Sequence, residues 1–158
     1  MNSSFFKLTL LLLTIASCTS KPSYENVDEN LMPYVKDALE IIEQAGGNIK
    51  GDLINVNFTD RFKTNPRYYS VIASADGMNR NGIVDIIVNP VLWSNLSRTQ
   101  RTWVMVHELL HDMFNMKHGS TLFLDPAVGN SMNKKRFEES VKSLEMYFEF
   151  YPDGLILR

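Results

Sequence analysis

Between residues 31 and 42 the apolar side chains fall at Leu31, Val35, Ala38, Leu39 and Ile42, with polar residues between them. A spacing of three to four predicts an amphipathic helix that begins near Asp28 and stops at Gly46-Gly47. The period then drops to two. Ile54, Val56 and Phe58 alternate with Asn55 and Asn57, the pattern of a half-buried strand. After a loop through Asn65-Pro66, two β-rich runs follow, "YYSVIASA" at 68–75 and "GIVDIIV" at 82–88. The turn-forming "DGMNRN" between them predicts a hairpin, with Pro90 closing its second strand. Ser97 followed by Gln100 is the signature of a capping box at the start of a helix through "RTQRTWVMVHELLHDMF". Trp103, Val106 and Leu110 form the core-facing stripe of that helix. A loop from Lys117 to about Asn133, carrying Asp125-Pro126 and Gly129, leads into a last helix from about Lys134 to Phe150, near Pro152. The predicted class is α+β: an N-terminal helix, a twisted sheet with a hairpin, a central helix and a C-terminal helix.

The first eighteen residues have a different character. "MNSSFFKLTLLLLTIASC" has one lysine, an apolar run from Leu8 to Ala16, and small residues ending at Cys18. The run is too short to span a bilayer and has the build of a signal peptide. Ile15-Ala16-Ser17-Cys18 resembles the bacterial lipobox, which implies a mature chain beginning at a lipidated Cys18 and held outside the cytoplasm; the alternative is a plain secretory signal with an incidental cysteine. On this division residues 1–17 are a signal peptide, 18–27 a lipidated cysteine and flexible tether, and 28–158 the folded domain. With one cysteine in 158 residues there is no internal disulfide. The formal charge of −2 lacks the basic excess that nucleic-acid binding needs.

All three histidines fall in "HELLHDMFNMKHG", residues 107–119. His107 and His111, four apart on a helix, differ by about 40° in direction and about 6 Å in height, so both can grip one ion. Glu108 is turned about 100° from His107, an offset that suits a general base acting on water at the metal. The competing interpretation treats the histidines as satisfied polar groups on a helix face. Imidazole donors favour zinc among the common divalent ions. Two histidines leave the usual catalytic set of three protein ligands one short, and His118 is the candidate third. Asp112 is a candidate partner for a ligand imidazole, or else a residue facing water.

The string resembles the metzincin zinc peptidases, whose pattern is His-Glu-x-x-His-x-x-Gly-x-x-His. Phe114 stands at the glycine position and His118 falls one residue late. Asparagine is the next best residue after glycine in a left-handed turn, so Asn115 is the predicted helix terminator and "NMKH" the returning half of the pattern. The string also resembles one carried by small bacterial lipoproteins, which implies a family of zinc-peptidase-like domains. The metzincin likeness implies a zincin-like domain with zinc on His107, His111 and His118, a Met-turn methionine for which Met132 is the candidate, and a substrate lying along an edge strand, for which residues 83–88 are the candidate. The metzincin tyrosine two residues beyond that methionine is replaced by Lys134, and Tyr147 or Tyr151 is a substitute only if the last helix folds back. A likeness to the thermolysin class would instead make Glu138 or Glu139 the third ligand; as a plain helix face, that segment is solvated.

Together these imply a zinc-dependent peptidase, with one zinc per chain and Glu108 as general base, acting on a peptide or protein outside the cytoplasm. The alternative from another class is a non-catalytic surface lipoprotein with a structural zinc or a protein-binding role.

Overall fold

The computed structural model describes residues 21–64, 69–75, 82–126 and 132–154. The chain is α+β. Its elements are β1 (Ser23–Val27), α1 (Met32–Gln44), β2 (Leu53–Phe58), a single turn α2 (Arg61–Thr64), β3 (Ala73–Ala75), β4 (Ile83–Val88), α3 (Pro90–Ser94), α4 (Arg98–Phe114), a 3-10 turn (Leu122–Leu124) and α5 (Lys134–Phe150). The four strands form one sheet in the order β1-β2-β4-β3. β1, β2 and β4 run parallel, and β3 is antiparallel to β4.

The buried residues predicted for α1 are the ones that pack: Leu31, Val35, Ala38, Leu39 and Ile42 meet Ile54 and Val56 of β2, Val84, Ile86 and Val88 of β4, and the apolar side of α4 in one core. α1 lies against α4, and α4 in turn touches β3, β4, the 3-10 turn and α5. Helix α4 is thus enclosed on most sides, which explains why its buried residues run almost without interruption from Thr102 to Phe114. Gly46, at φ 97°, ends α1 in a conformation that residues with a Cβ adopt at a cost.

Three expectations need correction. Ser23–Val27 is a strand of the sheet and not part of a tether. Its side chains are nearly all exposed, so no apolar alternation marks it, and backbone pairing to β2 holds it in place. Asn57 Nδ2 donates to Asn26 O at 2.9 Å and the Asp28 amide to Val56 O at 2.9 Å.

The second correction concerns the first hairpin strand, which is only Ala73–Ala75; residues 69–72 form a turn and an irregular approach. The "DGMNRN" connection and Tyr68 lie outside the described residues. The third is that the strand at 83–88 is interior, paired on both sides, so the sheet edge next to α4 is β3. Pro90 does follow the end of β4, where it opens α3 behind an Asn89 cap that accepts from the Val91 amide at 3.1 Å.

Cys18 and the apolar N-terminal run also lie outside the described residues. No helix among the described residues is long and apolar enough to cross a membrane.

Candidate metal centre

Helix α4 starts where the capping box predicts. Ser97 Oγ accepts from the Gln100 amide at 3.3 Å, and Gln100 Oε1 accepts from the Ser97 amide at 2.8 Å. Burial of Trp103, Val106 and Leu110 orients the helix so that His107 and His111 face a cleft of about 920 Å³.

The helix ends at Asn115 in the left-handed region, φ 53° and ψ 33°. Its amide bonds to Leu110 O, five residues back instead of the helical four, and the Met116 amide reaches the same carbonyl at 3.2 Å. This closure turns the chain back so that His118 Nε2 comes within reach of His107 Nε2. Met116, buried at the start of the returning segment, anchors it to the core.

His107, His111 and His118 come together as a group that could hold a metal ion, their nearest ring nitrogens all within 4.8 Å of one another. His107 Nε2 lies 3.1 Å from His111 Nε2 and 3.3 Å from His118 Nε2. His107 is buried, His111 half-buried and His118 exposed. The tautomers follow from the other ring nitrogens. His107 Nδ1 is 2.8 Å from Phe123 O, and His111 Nδ1 is 2.6 Å from Met116 O. A carbonyl only accepts, so each Nδ1 carries the proton and each neutral ring presents an Nε2 lone pair to the others. Two lone pairs aimed at one another 3.1 Å apart do not form a hydrogen bond; they need a cation or a proton between them.

Burial pushes the His107 imidazole down to about 4, against the hydrogen bond to Phe123 O; the neighbouring His111 and His118 lower it further and Asp125 opposes them. His111 is lowered by the same desolvation. Both shifts favour the neutral form that a metal requires.

Glu108 is 8% exposed and lines the same cleft. Its Oε2 accepts from the Ala75 amide of β3 at 2.9 Å. Burial raises its carboxyl to about 7, with the Ala75 hydrogen bond opposing. A carboxyl poised there is half-ionised near neutrality and can both take and return a proton.

The remaining candidates are placed elsewhere. Glu138 and Glu139 are exposed on α5, 3.8 Å and 3.9 Å from Lys134 and Lys135 respectively, and neither belongs to the histidine group. Asp112 is buried and lines a separate cavity of about 70 Å³ with Asn48, Lys50 and Asp52. Tyr147 and Tyr151 lie ring to ring at 5.3 Å, and no tyrosine among the described residues lines the cleft. Met132 is buried in the core, while 127–131 before it lie outside the described residues.

The carbonyls of Phe123 and Met116 and the amide of Ala75 are functional groups that sequence reasoning missed. Main-chain atoms leave no mark in side-chain pattern. The buried Phe123 is a partial signal, since its ring, 6.3 Å from Trp103 and 5.6 Å from Phe137, pins the 3-10 turn beside His107. No family model, curated protein or solved structure matches the chain.

Proposed function

We propose that this protein is a zinc-dependent peptidase of zincin-like architecture, with His107, His111 and His118 as ligands and Glu108 as general base. The observation that carries the reading is the convergence of the three Nε2 atoms next to a buried carboxyl in an open cleft. At zinc–nitrogen distances of about 2.0–2.1 Å and a tetrahedral angle, ligand nitrogens stand about 3.3 Å apart. The His107–His111 and His107–His118 separations of 3.1 and 3.3 Å fit that set, and the third pair lies within 4.8 Å. Structural zinc sites are closed by four protein ligands, whereas catalytic ones keep three and an open position. Three histidines at the floor of a cleft favour the catalytic kind over the non-catalytic alternative.

His107, His111 and His118 would hold the zinc, which would supply a Lewis acid and lower the pKa of a bound water toward neutrality. This chain's residues supply the rest. Glu108, held by the Ala75 amide, takes the proton of the attacking water and returns it to the leaving amine. Phe123 O and Met116 O keep two ligand rings in one tautomer and orientation, as outer partners do in metal sites. The substrate peptide lies extended along β3, the edge strand of the sheet among the described residues. Because the Asn89 amide bonds to Ile72 O at 2.8 Å and Ser74 faces Ile87, the alternation of an antiparallel ladder turns the main-chain groups of Ala73 and Ala75 toward the open edge. The Ala75 amide is taken by Glu108, leaving Ala73 as the main anchor for the peptide backbone. The N-terminal segment ending at Cys18 supports action outside the cytoplasm, from a membrane anchor.

The test pairs metal analysis with cleavage of a peptide library by the purified chain. Glu108→Gln should keep its zinc while hydrolysis falls by roughly 10²- to 10⁴-fold, the usual contribution of a positioned general base. Full cleavage activity in Glu108→Gln, or a wild-type chain that takes up no zinc, refutes the reading.

A further inference from the structure

We propose that Lys117 makes the cleft selective for substrates bearing a carboxylate close to the scissile bond. The inference rests on the metallopeptidase reading. The cleft is lined along β3 and its approach by Val71, Ile72, Ala73 and Ala75 with Ser70 and Ser74 among them, and from α4 by the apolar Trp103 and Val104. Lys117 lines the same cleft, one residue before His118. Among the described lining residues it is the only lysine or arginine, and the only carboxylate is Glu108, which is buried against Ala75.

The backbone at Lys117 is fixed on three sides. His111 Nδ1 donates to Met116 O before it, His118 joins the histidine group after it, and the Ser120 amide donates to Lys117 O at 3.1 Å. Its side chain is exposed and forms no ion pair with a described residue. An ammonium at the rim of an apolar-walled concavity has its field focused into that concavity. The three histidines carry no negative charge that would offset it. A peptide lying on β3 with its reacting carbonyl at the histidines therefore brings a neighbouring group within the reach of this ammonium. The group that gains most is an anion. In a peptide that anion is a carboxylate, from an aspartate or glutamate side chain or from a free C-terminus.

The test uses the zinc-loaded full chain and matched short peptidyl hydroxamates, whose binding is read by calorimetry and needs no turnover. One pair differs as glutamate against glutamine, and a second as C-terminal acid against amide. At least one acid should bind roughly three- to tenfold more tightly than its neutral twin, the range of a partly exposed charged pair, and lose that advantage as salt is raised. The preference should survive in Lys117→Arg, vanish in Lys117→Met and invert in Lys117→Glu, with zinc stoichiometry measured in each variant. The pair that responds identifies the source of the carboxylate.

Equal binding of acid and neutral probes by the wild-type chain overturns the inference. So does a preference that persists in Lys117→Met, or a Lys117→Met variant that loses the same factor on both twins, which would place Lys117 at the metal and not at the substrate. Neutral hydroxamates that bind without an acid preference sink this inference alone; a chain that holds no zinc or binds no hydroxamate sinks the metallopeptidase reading with it.

Discussion

Replacing Glu108 by glutamine in the metal-free protein should change how stability depends on pH. Glutamine keeps the oxygen that accepts from the Ala75 amide and removes only the titration. The folded carboxyl titrates near 7 against 4.5 in the unfolded chain, chiefly because burial penalises the charge. Below the unfolded value both states hold the proton and the group is neutral in its effect on folding. Between the two values the folded state holds a proton that the unfolded state has released, so stability falls as pH rises. At about 1.4 kcal/mol per unit, the full change is about 3 kcal/mol, lost by about pH 8.

His107 works in the opposite direction. Its folded value near 4 lies below the unfolded 6.5, so it adds stability as pH rises through that window, and His111 contributes with the same sign. In the wild-type chain the two effects oppose each other and the profile is shallow. In Glu108→Gln the histidine effect stands alone and stability climbs with pH. Urea unfolding in chelator, followed by the fluorescence of the buried Trp93 and Trp103, measures both profiles. From about pH 4 to about pH 8 the variant should gain about 3 kcal/mol on the wild type. Parallel profiles would refute the claim that burial raises the Glu108 carboxyl.

Metal analysis of His118→Ala should show affinity weakened by more than roughly 100-fold, since even an outer partner of a ligand costs 10- to 100-fold. Glu138→Ala/Glu139→Ala should bind as the wild type does, because both side chains are exposed and paired with lysines. Asn115→Ala should cost about 1 kcal/mol in urea unfolding through its left-handed backbone, whereas Asn115→Gly is tolerated. Gly154→Ala should cost more than about 2 kcal/mol, because φ is 77° and an added Cβ would collide with the Phe114 carbonyl oxygen; a thermal midpoint equal to wild type would contradict this.

What could be read from the sequence was local. The capping box at Ser97, the left-handed stop at Asn115 and the span Lys134–Phe150 depend on neighbours a few residues away, and all three are found where the sequence predicts them. The spacing of His107 and His111 is likewise a property of one helix. His118 was legible only as a candidate, because its arrival depends on whether the final turn widens, and the Leu110 carbonyl decides that.

The strand order was not legible at all. Ile83–Val88 has a stronger strand pattern than Ala73–Ala75, yet the stronger pattern belongs to an interior strand, buried by partners on both sides. The edge is the short run whose small residues let α4 and Glu108 approach. β1 was invisible for a related reason, since it is held by main-chain pairing and exposes nearly every side chain.

By itself, then, the sequence determined the class of elements, the helix boundaries around the histidines and the pairing of His107 with His111 on one helix face, because propensity, capping and helical spacing act over a few residues. Tertiary structure alone decided which strand borders the cleft, which carbonyls meet the imidazoles, and that Asp112 lines a separate cavity while Lys117 lines the cleft. Those outcomes depend on main-chain groups and on segments far apart in the chain, brought together only when the core around α4 closes.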